Sequence, residues 1–322
     1  MNMTNEEYIQ FLRGRISPNV KPEIAELMIE YAMTQEEHAE ALMKVDELCF
    51  ANRIPARALG QTPKAFLVIS QTGGGKSALT AKILRENPNT IVIDSDKFKQ
   101  FHSKRKELLE KYPTLFGFLT GLDAYLLRDE IYSKALAEGY NILIEIAPSA
   151  KDKLFNINFE ELSRAGYTVD ANLLVTCIEN SLLSIHERYE LDLRSGKPAP
   201  KLTDFNRAIE SSVVIPEIIE DFQRLPKEYN TTLTLWQRGP YSSEKSGSLL
   251  VNPPIFVSSD LDTALFRYSE AEQADREDML PHLKDRVKRI ESDMEDRNAP
   301  TDQRSQFEKV KDYIEEKSKS LK

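Results

Sequence analysis

Seven consecutive residues have the composition of a phosphate-binding loop, and they are Gln71, Thr72, Gly73, Gly74, Gly75, Lys76 and Ser77. Three adjacent glycines allow successive backbone N–H groups to converge on phosphate oxygens. A helix that begins at Lys76 would direct the positive end of its dipole at the same anion. This pattern predicts an ATP site in which Lys76 contacts the β- and γ-phosphates and the Ser77 hydroxyl holds Mg²⁺.

The residues on either side of the loop support this prediction. Residues 66–69 form a short apolar run typical of a buried strand, and residues 78–84 have helical composition, which gives the strand–loop–helix order of a P-loop. One residue departs from the strict pattern, because Ser70 stands where a P-loop begins with glycine. The loop predicts nucleotide binding but not the reaction, since GTPases, motors and small-molecule kinases share it.

Carboxylates follow two further apolar runs. Asp94 and Asp96 come after residues 91–93, and Glu145 comes after residues 142–144. Ligands of parallel α/β sheets lie outside the carboxyl ends of the strands, so we expect these acids and Lys76 around one crevice. A carboxylate beside a γ-phosphate can coordinate Mg²⁺ or accept a proton from an attacking hydroxyl. The alternative is that each acid only caps the helix that follows its strand.

A basic segment later in the chain has the charge that phosphoryl transfer requires, and it contains Arg188, Arg194 and Lys197. Guanidinium groups near a γ-phosphate stabilise the charge that spreads over its equatorial oxygens in the transition state. Residues 190–201 are charged and include two prolines, which is typical of a lid that closes over ATP. The alternative is an amphipathic helix followed by a solvated loop.

Hydrophobic patterning predicts the elements that must position these side chains. Five apolar runs of strand length occupy residues 66–69, 91–93, 142–144, 173–175 and 233–236, and charged segments with helical spacing separate them. This alternation predicts an α/β fold, with a P-loop kinase core and a mostly parallel sheet at residues 59–245. Helical patterning predicts an N-terminal helical region at 1–58 and a C-terminal helical extension at 246–322, which we expect to be a solvated appendage.

The overall composition excludes several classes of protein. The 322 residues carry 43 basic and 52 acidic side chains, a formal net charge of −9. This balance argues against a nucleic-acid partner, because phosphate neutralisation needs a basic surface. Cys49 and Cys177 are far apart and lack metal-binding spacing. No apolar stretch approaches the roughly 20 residues of a membrane-spanning helix, and no secretory signal is present, so we expect a cytoplasmic protein without a membrane partner.

Four motifs, in this order, resemble the zeta toxin family of P-loop kinases over roughly residues 40–240: the loop with Lys76, IVIDSDKFKQFH at 91–102, GYNILIE at 139–145 and IHERYE at 185–190. The resemblance implies phosphorylation of the 3′-hydroxyl of the amino sugar in UDP-N-acetylglucosamine, which poisons the synthesis of cell-wall precursors. It also implies a partner, a small helical antitoxin that blocks the nucleotide site.

The same resemblance implies roles for individual residues. Asp96, which lies 20 positions after Lys76, corresponds to the general base. Asp94 is then structural or related to Mg²⁺, and Arg188 matches the first catalytic arginine of the family. Glu145 matches a family glutamate that contacts the substrate or is associated with the metal, and Asp129 falls where the family has a glutamate that contacts the sugar nucleotide.

Two departures from the family pattern leave parts of the site open. The second family arginine precedes a Pro-Lys pair, where this chain has Lys197. Either Lys197 replaces that arginine or Arg194 reaches the site from one turn earlier, and we favour Arg194 because lysine lacks the bidentate fork. Residues 146–151 (IAPSAK) stand where the family has a glycine-rich segment that ends in arginine, which leaves the identity of the acceptor open.

Three functions are compatible with these patterns. A zeta-like toxin would phosphorylate a sugar nucleotide, whereas a metabolic or detoxifying phosphotransferase would use the same site on another hydroxyl compound. A non-catalytic nucleotide-binding module would use its helical ends to recruit a partner, but the acids at two strand ends argue against it, because a sensor needs no general base. Residues 1–58 are either an inhibitory arm that acts in cis or structural helices.

Overall fold

The computed structural model describes residues 3–112, 115–148, 159–197, 200–239 and 254–320. The chain divides into two compact units, each built from segments that are distant in the sequence. The first unit comprises Met1–Pro63 and Asn89–Ile142, and the second comprises Lys64–Pro88 and Leu143–Lys322. Residues 149–151, part of the departure from the family pattern noted above, lie outside the described residues.

The described strands form a sheet in the order β2-β3-β1-β4-β5-β6. Their bounds are Lys64–Ile69 (β1), Thr90–Ile93 (β2), Asn141–Ile146 (β3), Thr168–Val175 (β4), Thr231–Gln237 (β5) and Ile255–Ser258 (β6). Strand β4 pairs in parallel with β1 and with β5, and β6 is antiparallel to β5. All five predicted strands are present, and the mostly parallel sheet confirms the predicted α/β fold of P-loop kinase type.

The burial of the strands explains why their sequences are continuous apolar runs. Every residue of β1 from Ala65 to Ile69 is buried, because parallel strands in the middle of a sheet are covered on both faces. Strand β6 was not predicted. It is a four-residue strand at the end of the strand order, and both Ile255 and Phe256 are exposed, so it lacks the apolar signal of the other strands.

The described residues form α-helices α1 to α15 in chain order: Asn5–Arg15, Pro22–Tyr31, Gln35–Phe50, Lys76–Glu86, Ser95–Phe98, Arg105–Lys111, Phe116–Leu119, Gly121–Glu138, Phe159–Arg164, Ile178–Arg194, Phe205–Val213, Ile215–Arg224, Ala264–Met279, Leu283–Asp296 and Thr301–Ser320. None of these helices, within the described ranges, combines the length and the apolar composition needed to cross a bilayer.

In the first unit, the N-terminal helices share a hydrophobic core with α6, α7 and α8. Tyr8 and Leu12 on α1 and Tyr31 on α2 are buried in the same cluster as Leu119 and Leu126. Helix α1 begins with a capping box, in which the Thr4 N–H donates to Glu7 Oε2 (2.7 Å) and the Glu7 N–H donates to Thr4 Oγ1 (3.3 Å). Helices α1 and α2 are therefore an integral part of this core.

In the second unit, α10 lies at the centre of the packing. All residues from Ile178 to Glu190 except Arg188 are buried. Helices α13, α14 and α15 bury an apolar stripe in the same core, formed by Met279, Ile290, Met294, Phe307, Val310 and Ile314. The expectation that the C-terminal helices form a solvated appendage is therefore wrong. Many of their charged residues are exposed, but their apolar faces complete the core around α10.

Candidate active site

The glycine-rich loop joins the end of β1 to the beginning of α4, in agreement with the sequence prediction. Gly73 and Gly75 have φ values of +84° and +93°, which lie in the left-handed region that glycine adopts at little cost. Gly75 is the N-cap residue of α4, and no side chain caps this end of the helix. The beginning of α4 therefore presents the positive end of its dipole to an anion.

Close packing requires glycine at two positions of the loop. A Cβ atom at Gly73 would lie 2.4 Å from the carbonyl oxygen of Ser181, and a Cβ atom at Gly74 would lie 2.1 Å from Ser70 Oγ. Ser70 itself is fully buried, and its hydroxyl donates to the Leu174 carbonyl oxygen on β4 at 2.8 Å. This hydrogen bond satisfies the buried hydroxyl and explains how the chain accommodates serine where the strict pattern has glycine.

The segment before α10, α10 itself and α11 hold the first half of the loop. Gln71 Nε2 donates to the Thr176 carbonyl oxygen (3.1 Å) and to Ser181 Oγ (2.8 Å). The Thr72 N–H donates to Ser211 Oγ on α11 (3.1 Å). Because these partners come from elements more than a hundred residues downstream, the loop conformation depends on the packing of the whole second unit.

Lys76 lies in the first turn of α4, and its ammonium is enclosed by the loop. Nζ donates to the carbonyl oxygens of Ser70 (2.9 Å) and Gln71 (3.2 Å). Desolvation is the main cause of a pKa of about 8 for Lys76; Glu145 opposes the shift, and the positive charges of Arg188 and Lys201 add to it. The ammonium therefore lies against two neutral carbonyl oxygens, and a bound polyphosphate would give it negatively charged partners instead.

Glu145 and Arg188 have opposite effects on the pKa of this lysine. Glu145 lies on β3, and its Oε1 accepts a hydrogen bond from Thr80 Oγ1 (2.6 Å), one turn after Lys76 on α4. Arg188 is the partly exposed residue within the otherwise buried stretch of α10. The electrostatic influence of both groups on Lys76 shows that the second unit brings a cation and a carboxylate to the phosphate loop.

Arg194 and Lys197 are both engaged with acidic residues. Arg194 is the last residue of α10, and its Nη1 donates to Asp293 Oδ1 on α14 at 2.9 Å. Lys197 Nζ donates to Asp192 Oδ2 at 2.8 Å. More than half of each cationic side chain is exposed. Helix α10 thus continues through the first part of the basic segment, as the amphipathic-helix interpretation expects.

The first unit carries the aspartates that follow β2. Asp94 is the N-cap of the short helix α5, and its Oδ1 accepts a hydrogen bond from the Asp96 N–H at 3.0 Å. Asp96 Oδ1 accepts from Lys99 Nζ at 2.6 Å, and 61% of the Asp96 side chain is exposed. Asp94 thus has the capping role that was the alternative to catalysis, whereas Asp96 presents an accessible carboxylate.

Asp129 also belongs to the first unit, where it lines a cavity of about 980 Å³ between α1, α3 and α8. Its Oδ2 accepts from Arg15 Nη1 at 2.9 Å, and its Oδ1 accepts from Arg128 Nη2 at 2.6 Å. Two arginines therefore neutralise the position that the family resemblance assigns to substrate contact. The neighbouring Glu130 is held by His38 Nε2 at 2.8 Å.

Sequence reasoning missed three charged residues that support the loop, namely Arg238, Asp275 and Arg286. Arg238 follows the apolar run of β5, so the logic that selected the acids at strand ends could have selected it as well. Asp275 and Arg286 lie in charge-rich helical sequence, where nothing distinguishes a buried charge from a solvated one. All three are nevertheless buried.

Comparison with known proteins identifies the family. The zeta toxin family model matches residues 51–229. Zeta toxins from Streptococcus pyogenes and Enterococcus hirae are each 33% identical to this chain over 148 residues, which is 44% of this chain and 50% and 51% of theirs. The Streptococcus agalactiae zeta toxin is 29% identical over 174 residues, 52% of this chain and 58% of that protein. The chain spans about half the length of the curated relatives it matches.

Solved structures support the same fold. A chain of the PezAT chromosomal toxin–antitoxin system of Streptococcus pneumoniae has a TM-score of 0.58 and 22% identity, with 81% of this chain and 98% of that chain covered. A chain of the AvrRxo1-ORF1:AvrRxo1-ORF2 complex has a TM-score of 0.51 and 12% identity, with 96% and 89% covered. Because the family model spans more than half of the chain, including the phosphate loop and all of α10, this protein belongs to the zeta toxin family.

Proposed function

We propose that this protein is an ATP-dependent kinase that transfers the γ-phosphate of ATP to a hydroxyl group of a sugar nucleotide, with UDP-N-acetylglucosamine as the leading candidate. The observation that carries the proposal is the enclosed Lys76 at the beginning of an uncapped α4, in a loop whose glycines leave no space for side chains. Such a loop binds polyphosphate, and membership of the zeta toxin family makes phosphoryl transfer the reaction to test.

The residues of the loop fit the triphosphate of ATP. Residues 71–75 would supply backbone N–H groups, and Lys76 would exchange its two loop carbonyl partners for β- and γ-phosphate oxygens. Ser77 and Asp94 are the proposed ligands of Mg²⁺, which when bound would neutralise charge on the phosphates. In this proposal, Arg188 stabilises the equatorial oxygens of the migrating group, and either Arg194 or Lys197 supplies the second cation.

The acceptor side of the proposal assigns Asp96 as the general base. Its carboxylate would take the proton of the acceptor hydroxyl while that oxygen bonds to the γ-phosphorus and the bond to the β–γ bridging oxygen breaks, releasing ADP. The exposure of Asp96 supports this role, since a base must be reached by its substrate. Glu145 and Asp129 are proposed to contact the acceptor.

Incubation of the purified protein with labelled ATP and a panel of sugar nucleotides tests the reaction and identifies the acceptor. Asp96→Asn is expected to abolish transfer while ATP binding persists. Glu107→Gln, which changes an exposed carboxylate of the same unit that pairs with Lys111, is the matched control and should retain full activity. Transfer by Asp96→Asn at the wild-type rate would refute the assignment of the base.

The same assay separates the two candidates for the second cation. Arg194→Ala and Lys197→Ala each remove one exposed ion pair, with Asp293 and Asp192 respectively. The variant that loses kcat while keeping its affinity for ATP identifies the residue that contacts the migrating phosphoryl group. If neither variant loses kcat, the proposal of a second cation in this segment is wrong.

We also propose that the protein is toxic to its host unless an antitoxin protein neutralises it, as the toxin–antitoxin origin of the PezAT chain suggests. Expression of the wild type in a bacterial host should arrest growth, whereas Lys76→Ala should not. Equal growth of the two strains together with transfer in vitro would favour a metabolic or detoxifying kinase. ATP binding without transfer to any acceptor would favour a non-catalytic nucleotide-binding module.

A further inference from the structure

The phosphate loop rests directly on α10. The carbonyl oxygen of Ser181 and Cγ1 of Ile185 would lie 2.4 and 2.8 Å from a Cβ atom at Gly73, so the backbone of the loop and the helix are in contact. Gln71 adds a hydrogen bond to Ser181 Oγ at 2.8 Å. The position of α10 therefore sets the position of the loop, and groups that fix α10 also fix the loop.

Arg238 joins the loop to α10 from the end of β5. Its Nη1 donates to Ser184 Oγ at 3.0 Å and makes a longer contact, 3.4 Å, with the carbonyl oxygen of Gly73. Only 6% of the residue is exposed. A guanidinium has five N–H donors in a rigid fork, so it can bridge a backbone carbonyl and a hydroxyl that a smaller side chain would leave apart.

The C-terminal helices complete this bridge. Arg286 on α14 is fully buried, and its Nη2 donates to the same Ser184 Oγ at 3.0 Å. Arg286 also forms a bidentate ion pair with Glu187, in which Nε donates to Oε1 at 2.9 Å and Nη2 donates to Oε2 at 2.7 Å. Its Nη1 donates to Asn180 Oδ1 at 2.7 Å. Ser184 Oγ thus accepts hydrogen bonds from one guanidinium that contacts the loop and from another that belongs to the C-terminal helix.

Helix α13 holds the beginning of α10 in a similar way. Asp275 on α13, which is 2% exposed, accepts hydrogen bonds from Thr176 Oγ1 (2.9 Å), the Cys177 N–H (2.7 Å) and Asn180 Nδ2 (3.0 Å). Arg238, Asp275 and Arg286 all follow residue 229, the last residue that the zeta toxin model matches. The charged support of the loop therefore comes from the part of the chain beyond the family match.

Arg238 is a buried charge whose protonated form is disfavoured by its surroundings. Burial lowers the pKa of Arg238 and the adjacent Arg286 lowers it further, whereas Asp275 and Glu187 oppose the shift. Burying a guanidinium without a carboxylate partner in direct contact is costly, and an apolar side chain would fill the space at lower cost. Among the described residues, neither Asp275 nor Glu187 forms a direct ion pair with Arg238.

We propose that Arg238 is a positioning residue of the nucleotide site, which holds the Gly73 peptide against Ser184 of α10, and that Arg286 of the C-terminal helix α14 fixes Ser184 for this purpose. The inference rests on the proposed function, because it assumes that the loop binds ATP. It assigns the C-terminal helices a role in binding of the nucleotide: they set the geometry of the loop through the path Gly73–Arg238–Ser184–Arg286.

The test is the Kd for ATP, measured by calorimetry on the full chain for the wild type, Arg238→Gln and Arg238→Lys. Loss of a hydrogen bond from a charged donor that fixes the loop is expected to raise the Kd about tenfold in Arg238→Gln. Arg238→Lys keeps the charge but cannot bridge both acceptors, so we expect an intermediate Kd. A merely structural role would lower the Tm of these variants but leave their Kd for ATP unchanged at temperatures where they are folded.

Arg297→Gln provides the matched control. Arg297 also pairs through two hydrogen bonds with a glutamate of α10, Glu190, at 2.7 Å each, but Glu190 lies beyond Glu187 and away from Ser184. We expect this variant to lose stability and to bind ATP with the wild-type Kd. Ser184→Ala is the second test variant, because it removes the shared acceptor with little change in volume and should raise the Kd in the same direction as Arg238→Gln.

The outcomes separate this inference from the proposed function. If the wild type binds ATP and Ser184→Ala and Arg238→Gln bind it equally well, the positioning role is wrong and the kinase proposal is unaffected. If Arg297→Gln weakens ATP binding as much as Arg238→Gln does, the effect is general loosening of α10 and the specific path is wrong. If the wild type itself does not bind ATP, both proposals are overturned.

Discussion

The enclosed ammonium of Lys76 leads to a specific expectation for the pH dependence of ATP binding. Desolvation lowers the pKa of Lys76 to about 8, with further contributions from Arg188 and Lys201 against the opposing effect of Glu145. At pH 7 the lysine is charged in about nine-tenths of the molecules, and at pH 9 in about one-tenth. Since a phosphate group binds the charged form, raising the pH through 8 should weaken binding.

Linkage between proton and ligand binding determines the sign and the size of this effect. A bound polyphosphate raises the pKa of the lysine, so the complex keeps its proton at a pH where the ligand-free protein has lost it. Between the two pKa values, binding takes up one proton, and each unit of pH costs about tenfold in affinity. From pH 7 to pH 9 the Kd for ATP should therefore rise about tenfold, which corresponds to about 1.4 kcal/mol.

Isothermal titration calorimetry between pH 7 and pH 9.5, in buffers of different ionisation enthalpy, measures both the Kd and the proton uptake. The terminal phosphate of a phosphate ester titrates near pH 6, so the charge of the ligand changes little over this range. Lys76→Arg is the test variant, because a guanidinium stays protonated throughout and should give a flat profile. Lys82→Ala, which removes a lysine on the same helix that pairs with Glu86, should retain the wild-type slope.

Two results would contradict this reasoning. A wild-type Kd that does not change between pH 7 and pH 9 would mean that the ammonium is not desolvated or does not contact the phosphates. An identical slope in Lys76→Arg would assign the titration to another group. Proton uptake of about one per ATP near pH 9 in the wild type, absent from the variant, is the result that we expect.

Three further predictions concern the loop and the core of the second unit. Gly73→Ala should abolish ATP binding in the same calorimetric assay, because a Cβ at φ +84° would lie 2.4 Å from the Ser181 carbonyl oxygen. Gly166→Ala is the control: it places a Cβ at a similar φ of +75° but in open space, and this variant should bind ATP normally. Burial lowers the pKa of His186 from 6.5 to about 4, so its contribution to stability is complete above pH 6.5 and is lost as the pH falls toward 4. The free energy of unfolding in urea should fall between pH 7 and pH 4.5, and His186→Phe should make this fall smaller by about 2–3 kcal/mol. A fall of the same size in the variant would contradict the burial argument. Arg286→Met leaves the buried Glu187 without its partner and should lower the free energy of unfolding by about 3–5 kcal/mol in the same assay. The double variant Arg286→Met with Glu187→Met removes both charges and should recover most of this stability.

The strands and the phosphate loop could be predicted because their signals are local. Each of the five apolar runs lies in a strand, and the continuous run of β1 is apolar because a central parallel strand is covered on both faces. The loop connects one such strand to one helix, and its Gly73 and Gly75 adopt left-handed backbone angles that few other residues accept. Strand β6 escaped prediction because it is short and has two exposed apolar residues, so it lacks the signature of a buried strand.

The candidate site was predicted unevenly. Lys76 follows from the loop pattern and Glu145 from the rule that ligands bind at the ends of parallel strands, and the structure places Lys76 in the first turn of α4 and joins Glu145 to Thr80 of the same helix. Asp94 shows why such a rule is incomplete: the same aspartate can coordinate a metal or cap a helix, and only its hydrogen bond to the Asp96 N–H reveals the capping contact. The catalytic roles of Asp96, Arg188, Arg194 and Lys197 and the substrate contacts of Asp129 and Glu145 remain predictions.

Sequence by itself determined the phosphate loop, the five predicted strands and the family, because each depends on residue types within a short stretch of chain or on their order along it. Tertiary structure alone decided which charges are buried. Arg286 and Glu187 are 99 residues apart, and each resembles a solvated helical charge until α14 packs on α10 and the two meet at 2.7 Å. A charge can leave water only where partners compensate its desolvation, and those partners are brought together by the fold rather than by proximity in the sequence.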